Sequence, residues 1–149
     1  MTDEVESDYV GIFDGDLGFG KKPALILIDF VEAYFDKDCA LYAGVEHILT
    51  NAIALRDAAR DAGILIIYTN VAYAPSLIDG GRFTQKVAPL AHFVAGHPMG
   101  AWPEGPEPEA NELVISKQYP SACFGTSLAP PLPAHGNDSA ILTRLTPSG

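Results

Sequence analysis

Two short, unbroken apolar runs constrain this chain more than anything else in it. Ala24-Leu25-Ile26-Leu27-Ile28 follows Pro23 and closes on Asp29. It is too short for a core helix and lacks the alternation of a half-exposed strand, so it reads as a strand buried on both faces. Ile64-Leu65-Ile66-Ile67-Tyr68-Thr69 repeats the pattern. Between the two, Val45, Ile48, Leu49, Ala52, Leu55 and Ala59 recur at helical spacing, Arg56, Asp57 and Arg60 are left for the wet face, and Gly63 ends the helix. Strand, helix and strand within about 45 residues is the length of a parallel crossover unit, which predicts an α/β fold built on a parallel sheet.

Residues 72–109 carry no sustained period and hold Asp79-Gly80-Gly81, Gly96, Pro98, Gly100, Pro103, Gly105, Pro106 and Pro108, all turn or breaker signals. The interleaved Phe83, Leu90, Phe93, Met99 and Trp102 favour a packed excursion that builds a pocket wall over a loose linker. Glu112-Leu113-Val114-Ile115-Ser116 reads as a third strand, followed by Lys117, and Ser139-Ala140-Ile141-Leu142-Thr143 as a fourth. The acidic opening through residue 21 reads as a solvated arm, and residues 22–149 as one domain.

A net charge of −10 with only nine Lys and Arg excludes an electrostatic grip on nucleic acid, so the expected partners are a small molecule and other copies of the chain. Two cysteines are too few for a disulfide framework, and no His or Cys pair stands at metal-ligand spacing. No apolar run approaches the roughly 18 to 20 residues that cross a bilayer. The expectation is a cytoplasmic protein with no membrane partner, metal or cofactor.

In an open parallel sheet, ligands bind beyond the carboxyl ends of the strands. Asp29 closes the first strand there and Lys117 follows the third, so the two are expected to share one crevice, with their charged groups within about 4 to 6 Å. Each has a plainer reading as well. A carboxylate ending a strand is often a cap or a salt-bridge partner, and a lysine after a strand is usually solvated.

Leu27-Ile28-Asp29-Phe30 with Ala33-Tyr34-Phe35-Asp36 resembles the opening signature of the isochorismatase-like cysteine hydrolases. Asp79-Gly80-Gly81-Arg82-Phe83, Val114-Ile115-Ser116-Lys117-Gln118-Tyr119-Pro120-Ser121-Ala122 and Phe124-Gly125-Thr126-Ser127-Leu128 resemble the N-carbamoylsarcosine amidohydrolase branch. The resemblance implies a three-layer sandwich with strand order 3-2-1-4-5-6 and cleavage of a C–N bond in a small carbamoyl or amide substrate. It also implies Asp29 as proton acceptor and Lys117 as the cation that steadies a cysteine thiolate, with no cofactor and a homo-oligomeric assembly. A thiolate is the competent form of that nucleophile, and a nearby ammonium favours it.

The departure lies at the third member of the triad. The family's nucleophile follows a Thr-Gly-x-Thr-Thr-Ser-Gly segment after the fourth strand, and Thr143-Arg144-Leu145-Thr146-Pro147-Ser148-Gly149 ends at the glycine, one position before that cysteine. Neither Cys39 nor Cys123 stands in the motif. A catalytically inactive binding or assembly protein is therefore the alternative reading. Pro130, Pro131 and Pro133 fall where the resemblance places a helix, and Pro133 should weaken or end it. Tyr68-Thr69-Asn70-Val71-Ala72 stands where metal-binding relatives carry Asp-x-His, and His47, His92, His97 and His135 read as surface or loop residues. The fourth strand is expected to be the last of the sheet and to leave an open edge, so the isolated chain should sediment as oligomer or aggregate. A sharp, cooperative monomer would contradict that expectation.

Overall fold

A computed structural model describes residues 20–86, 88–118 and 131–145. The strands are β1 (Pro23–Ile28), β2 (Leu65–Val71), β3 (Leu113–Lys117) and β4 (Ser139–Arg144); the helices are α1 (Glu46–Asp61), α2 (Gly81–Lys86) and α3 (Pro131–Ala134). All pairings are parallel and the order is β3-β2-β1-β4, as the sequence led us to expect for its first four strands. β2 runs to Val71, beyond its expected end at Thr69, and Lys117 is the last residue of β3 rather than its follower. The acidic arm lies outside the described residues except for its end, as do Cys123, Pro130 and the motifs in 119–128. No helix among the described residues is long and apolar enough to cross a membrane.

The unalternating run of β1 has a direct cause. Leu25 and Leu27 face α1, where they pack with Ala52, Ala59, Ile66 and Tyr68. Ile26 faces the opposite side with Ile67 and Ile115, against which Leu132 of α3 packs. Both faces are covered, so every residue of the strand is apolar. Full burial of each such side chain contributes about 2 kcal/mol. β4 differs from β1, because half-buried and exposed positions alternate along it and Leu142 is 62% exposed. Ile141 packs on the α1 side, whereas the Leu142 side has no such cover among the described residues.

Gly63 ends α1 in the left-handed region, at φ +67°, with its amide donating to Arg60 and the Ile64 amide donating to Ala59. This paired arrangement satisfies the last helical carbonyls, and the positive φ favours glycine. α3 is a single turn containing Pro133, in line with the expected weakening.

Arg56 and Arg60 require a correction, because neither faces water freely. Arg56 is 6% exposed and donates to the Gly105 carbonyl and Asp57; Arg60 donates to Glu112, the Tyr68 hydroxyl and the Glu107 carbonyl. The return limb of the 72–109 excursion folds back over this side of α1 and brings carbonyls and carboxylates to the guanidinium groups. Helical spacing could not anticipate that cover. Elsewhere the excursion packs as expected: Leu90 and Phe93 are buried with Tyr73, and Trp102 meets Tyr68 edge-on at 5.5 Å.

Burial alone would raise the Glu112 pKa, but hydrogen bonds from Arg60 and the Glu109 amide, with the charges of Arg60 and Arg56, outweigh it and hold the carboxyl below its usual range. A depressed carboxyl contributes stability that is present above the ordinary value of 4.5 and is lost as pH falls through the folded value. Glu112→Gln should cost about 2 to 3 kcal/mol at pH 7 in chemical denaturation. The gap to the wild type should shrink as the pH is lowered below that range.

Candidate functional site

Strand alternation assigns position 29 to the face of Leu25 and Leu27. Thr69 and Lys117, by contrast, share the face of Ile67 and Ile115. What brings the three together is the backbone at Asp29, which leaves the strand at φ +57°, in the left-handed region. Asp is among the few non-glycine residues that visit this region, at a cost of about 1 kcal/mol. The Asp29 amide still donates to the Thr69 carbonyl at 3.0 Å, so the β1–β2 ladder continues while the side chain is redirected.

Both carboxylate oxygens of Asp29 are engaged. Thr69 Oγ1 donates to Oδ1 at 2.9 Å, and Lys117 Nζ donates to Oδ2 at 2.7 Å across the intervening strand β2. Lys117 is 1% exposed, whereas the Asp29 side chain keeps 21% exposure. The buried ammonium is thus neutralised by a carboxylate that still reaches the crevice. The expected proximity of the two residues holds, at the carboxyl edge of the sheet. Such a pair can take up a proton at the carboxylate and stabilise an adjacent anion with the ammonium.

Two phenols border this edge. Burial, then the charges of Asp29, Tyr73 and Cys39, push Tyr34 up to about 12. Burial, then Asp79 and Asp29, also raise Tyr73. Both hydroxyls therefore stay protonated at neutral pH. Cys39, half-buried, lies 3.3 Å from His92 Nδ1, and the His92 ring stacks on His97 at 5.3 Å. Among the described residues no three His, Cys, Asp or Glu side chains are grouped to hold a metal ion.

Sequence reasoning singled out Asp29 and Lys117 but missed Thr69 as a partner of Asp29, although Thr69 ends its apolar run as Asp29 ends the first. It also gave no role to Tyr34 or Tyr73, and it did not bring Cys39 and His92 together. A cleft of about 180 Å³ at the end of β2 is walled by Val71, Phe93, His97 and Ala101, so the excursion does line a concavity on this edge. A wider cleft of about 580 Å³ opens at the opposite edge, beside Lys22, Arg60, Glu112 and His135. Neither Asp29 nor Lys117 lines either cleft, and the chemistry is assigned to the carboxyl edge because their 2.7 Å pair lies there.

The profile of the isochorismatase domain matches residues 23–143. Maleamate amidohydrolase from Pseudomonas putida is 42% identical over 144 residues, which span 95% of this chain and 68% of that protein. N-carbamoylsarcosine amidase from an Arthrobacter species is 29% identical, over 89% of this chain and 52% of that protein. Among solved structures, a cysteine hydrolase from Pseudomonas syringae pv. phaseolicola superposes with a TM-score of 0.76 at 23% identity, over 81% of this chain and 58% of that one. The chain thus spans from about half to about two thirds of these proteins. A parallel sheet in the order 3-2-1-4, an aspartate–lysine pair at its carboxyl edge and a profile match over most of the length lead to one conclusion: this chain belongs to the isochorismatase-like hydrolase family.

Proposed function

We propose that the protein belongs to an amidohydrolase that cleaves a C–N bond in a small carbamoyl or amide substrate, with Asp29 as proton acceptor and Lys117 as the charge-stabilising cation. The observation that carries this reading is the 2.7 Å pair between a buried lysine and a partly exposed aspartate at the carboxyl edge. The names of the two relatives, an amidohydrolase of maleamate and an amidase of N-carbamoylsarcosine, support the same bond type. In the proposed reaction a cysteine thiol in the family's motif gives its proton to Asp29 and attacks the substrate carbonyl. Asp29 passes that proton to the departing nitrogen, ammonia leaves as the adduct collapses to a thioester, and water hydrolyses the thioester to release the acid and the free thiol. Lys117 offsets negative charge as it develops beside the carboxylate. Thr69, which donates to Asp29 Oδ1, fixes the plane of the carboxylate so that its accessible lone pairs stay aimed at the crevice.

The 149-residue chain alone should release no ammonia from maleamate or N-carbamoylsarcosine. Joined to the downstream region of the Pseudomonas putida relative, it should hydrolyse at least one of them, and Asp29→Asn or Lys117→Ala should each lower turnover by at least about a thousandfold. Full activity in the Asp29→Asn protein, or ammonia release that depends on Cys123, would overturn these assignments. In the same joined protein, Thr69→Val should lower kcat by about tenfold or more with KM little changed, and Thr69→Ser should restore it.

A further inference from the structure

We propose that Cys39 and His92 form a second reactive site, a thiol paired with a general base, which a small neutral hydroperoxide oxidises to the sulfenic acid. The site is separate from the aspartate–lysine pair and does not rest on the proposed hydrolysis.

Cys39 Sγ lies 3.3 Å from His92 Nδ1, within hydrogen-bond reach for sulfur, although 53 residues separate the two along the chain. Both are firmly held. The Cys39 amide donates to the Asp36 carbonyl and the Cys39 carbonyl accepts from the Tyr42 amide, while the side chain packs on the apolar cluster of Val31, Ala33, Tyr73, Leu90 and Phe93. His92 precedes Phe93, which is buried and whose carbonyl accepts from the Tyr73 amide. The His92 ring stacks on His97 with centroids 5.3 Å apart and planes inclined by 19°, and His97 is itself fixed by the Met99 amide, which donates to its Nδ1. A nucleophile, a base within reach and a third group that orients the base make up the arrangement that activates a cysteine.

What the pair can do is limited by what surrounds the sulfur. Acyl transfer needs donors aimed at a developing oxyanion. The amides of Cys39 and Asp38 are already engaged, donating to the Asp36 carbonyl and to Asp36 Oδ1. Attack on a peroxide has no such requirement, because its leaving group is a hydroxide that the base itself can protonate. Charge narrows the oxidant further. Asp36 and Asp38 outnumber Lys37 beside Cys39, on a chain of net charge −10, and this disfavours an anionic disulfide or a peroxyacid anion. A small neutral hydroperoxide meets no such penalty, and it is compact enough to reach a half-buried sulfur.

The step balances with no further reactant. As Sγ attacks one peroxide oxygen, His92 Nδ1 takes the thiol proton; the S–O bond forms, the O–O bond breaks, and the departing hydroxide takes that proton back and leaves as water. Sulfur loses two electrons and the peroxide gains them. Cys39 is the only cysteine among the described residues, and the step ends at its sulfenic acid.

Hydrogen peroxide at neutral pH, with dimedone present to trap the sulfenic acid, tests this on the 149-residue chain, with the rate read by mass spectrometry of the peptide that contains Cys39. Burial and pairing predict opposite signs. If half-burial alone governed the sulfur, unfolding in urea would speed its oxidation. With His92 as base, the folded chain should instead react about tenfold or more faster than the unfolded one. His92→Phe, which keeps a ring against His97 but removes the base, should lose that advantage. Should this variant fail to fold, the comparison of folded and unfolded wild type still decides, because it needs no substitution. Oxidation of Cys39 that is no faster in the folded wild type than in urea, or that is equally fast in a folded His92→Phe protein, would overturn the proposal.

Discussion

An ammonium group out of reach of water has to be neutralised where it lies, and much of this structure is arranged around that requirement at Lys117. Its residue is 1% exposed, and its compensation comes from Asp29, two strands away in the sheet. An uncompensated charge in such a place would cost about 3 to 5 kcal/mol. The pair therefore demands that β3, β2 and β1 keep their register, since a slip of one residue would send Lys117 to the opposite face. It also demands the left-handed backbone at Asp29, a local cost that is tolerated because both carboxylate oxygens are satisfied. The strained residue and the chemically interesting one are the same, a coincidence common at functional sites.

The wall above this edge depends on a second set of interactions. The excursion after β2 has little regular structure of its own, and its position is fixed from both ends. Phe93, Leu90 and Tyr73 bury its outgoing part against Val31 and Ala33. Its return limb is tied to α1 through the Gly105 carbonyl on Arg56 and through Glu112 and the Glu107 carbonyl on Arg60. Trp102 against Tyr68 joins the excursion to the strand beneath. Charged groups on one helix thus position a wall whose other end borders the crevice.

The fold was legible because its core strands are buried on both faces. That condition writes itself into the chain as continuous runs of Ile, Leu and Ala, and the helix between the first two runs has to be amphipathic to cover them. Asp29 and Lys117 were singled out by their place at strand ends and by the family resemblance, and the structure adds that their charged groups pair at 2.7 Å. Arg56 and Arg60 were misread because helical spacing reports which side of α1 meets the sheet, and says nothing about a distant loop that later covers the other side. The apolar content of β4 records what a strand is suited to bury, and among the described residues Leu142 is left exposed.

From the sequence alone came the strand and helix segments, the parallel sheet, the order of its first four strands and the two charged residues at its carboxyl edge. All of these are local patterns, or family patterns carried by contiguous motifs. The tertiary structure alone decided that Asp29 leaves the strand with a positive φ, that Thr69 takes its second oxygen, and that Tyr34 and Tyr73 pack in one apolar cluster with Val31, Ala33 and Phe93. Those facts depend on strand register and on packing between segments far apart in the chain, and no local period or spacing encodes them.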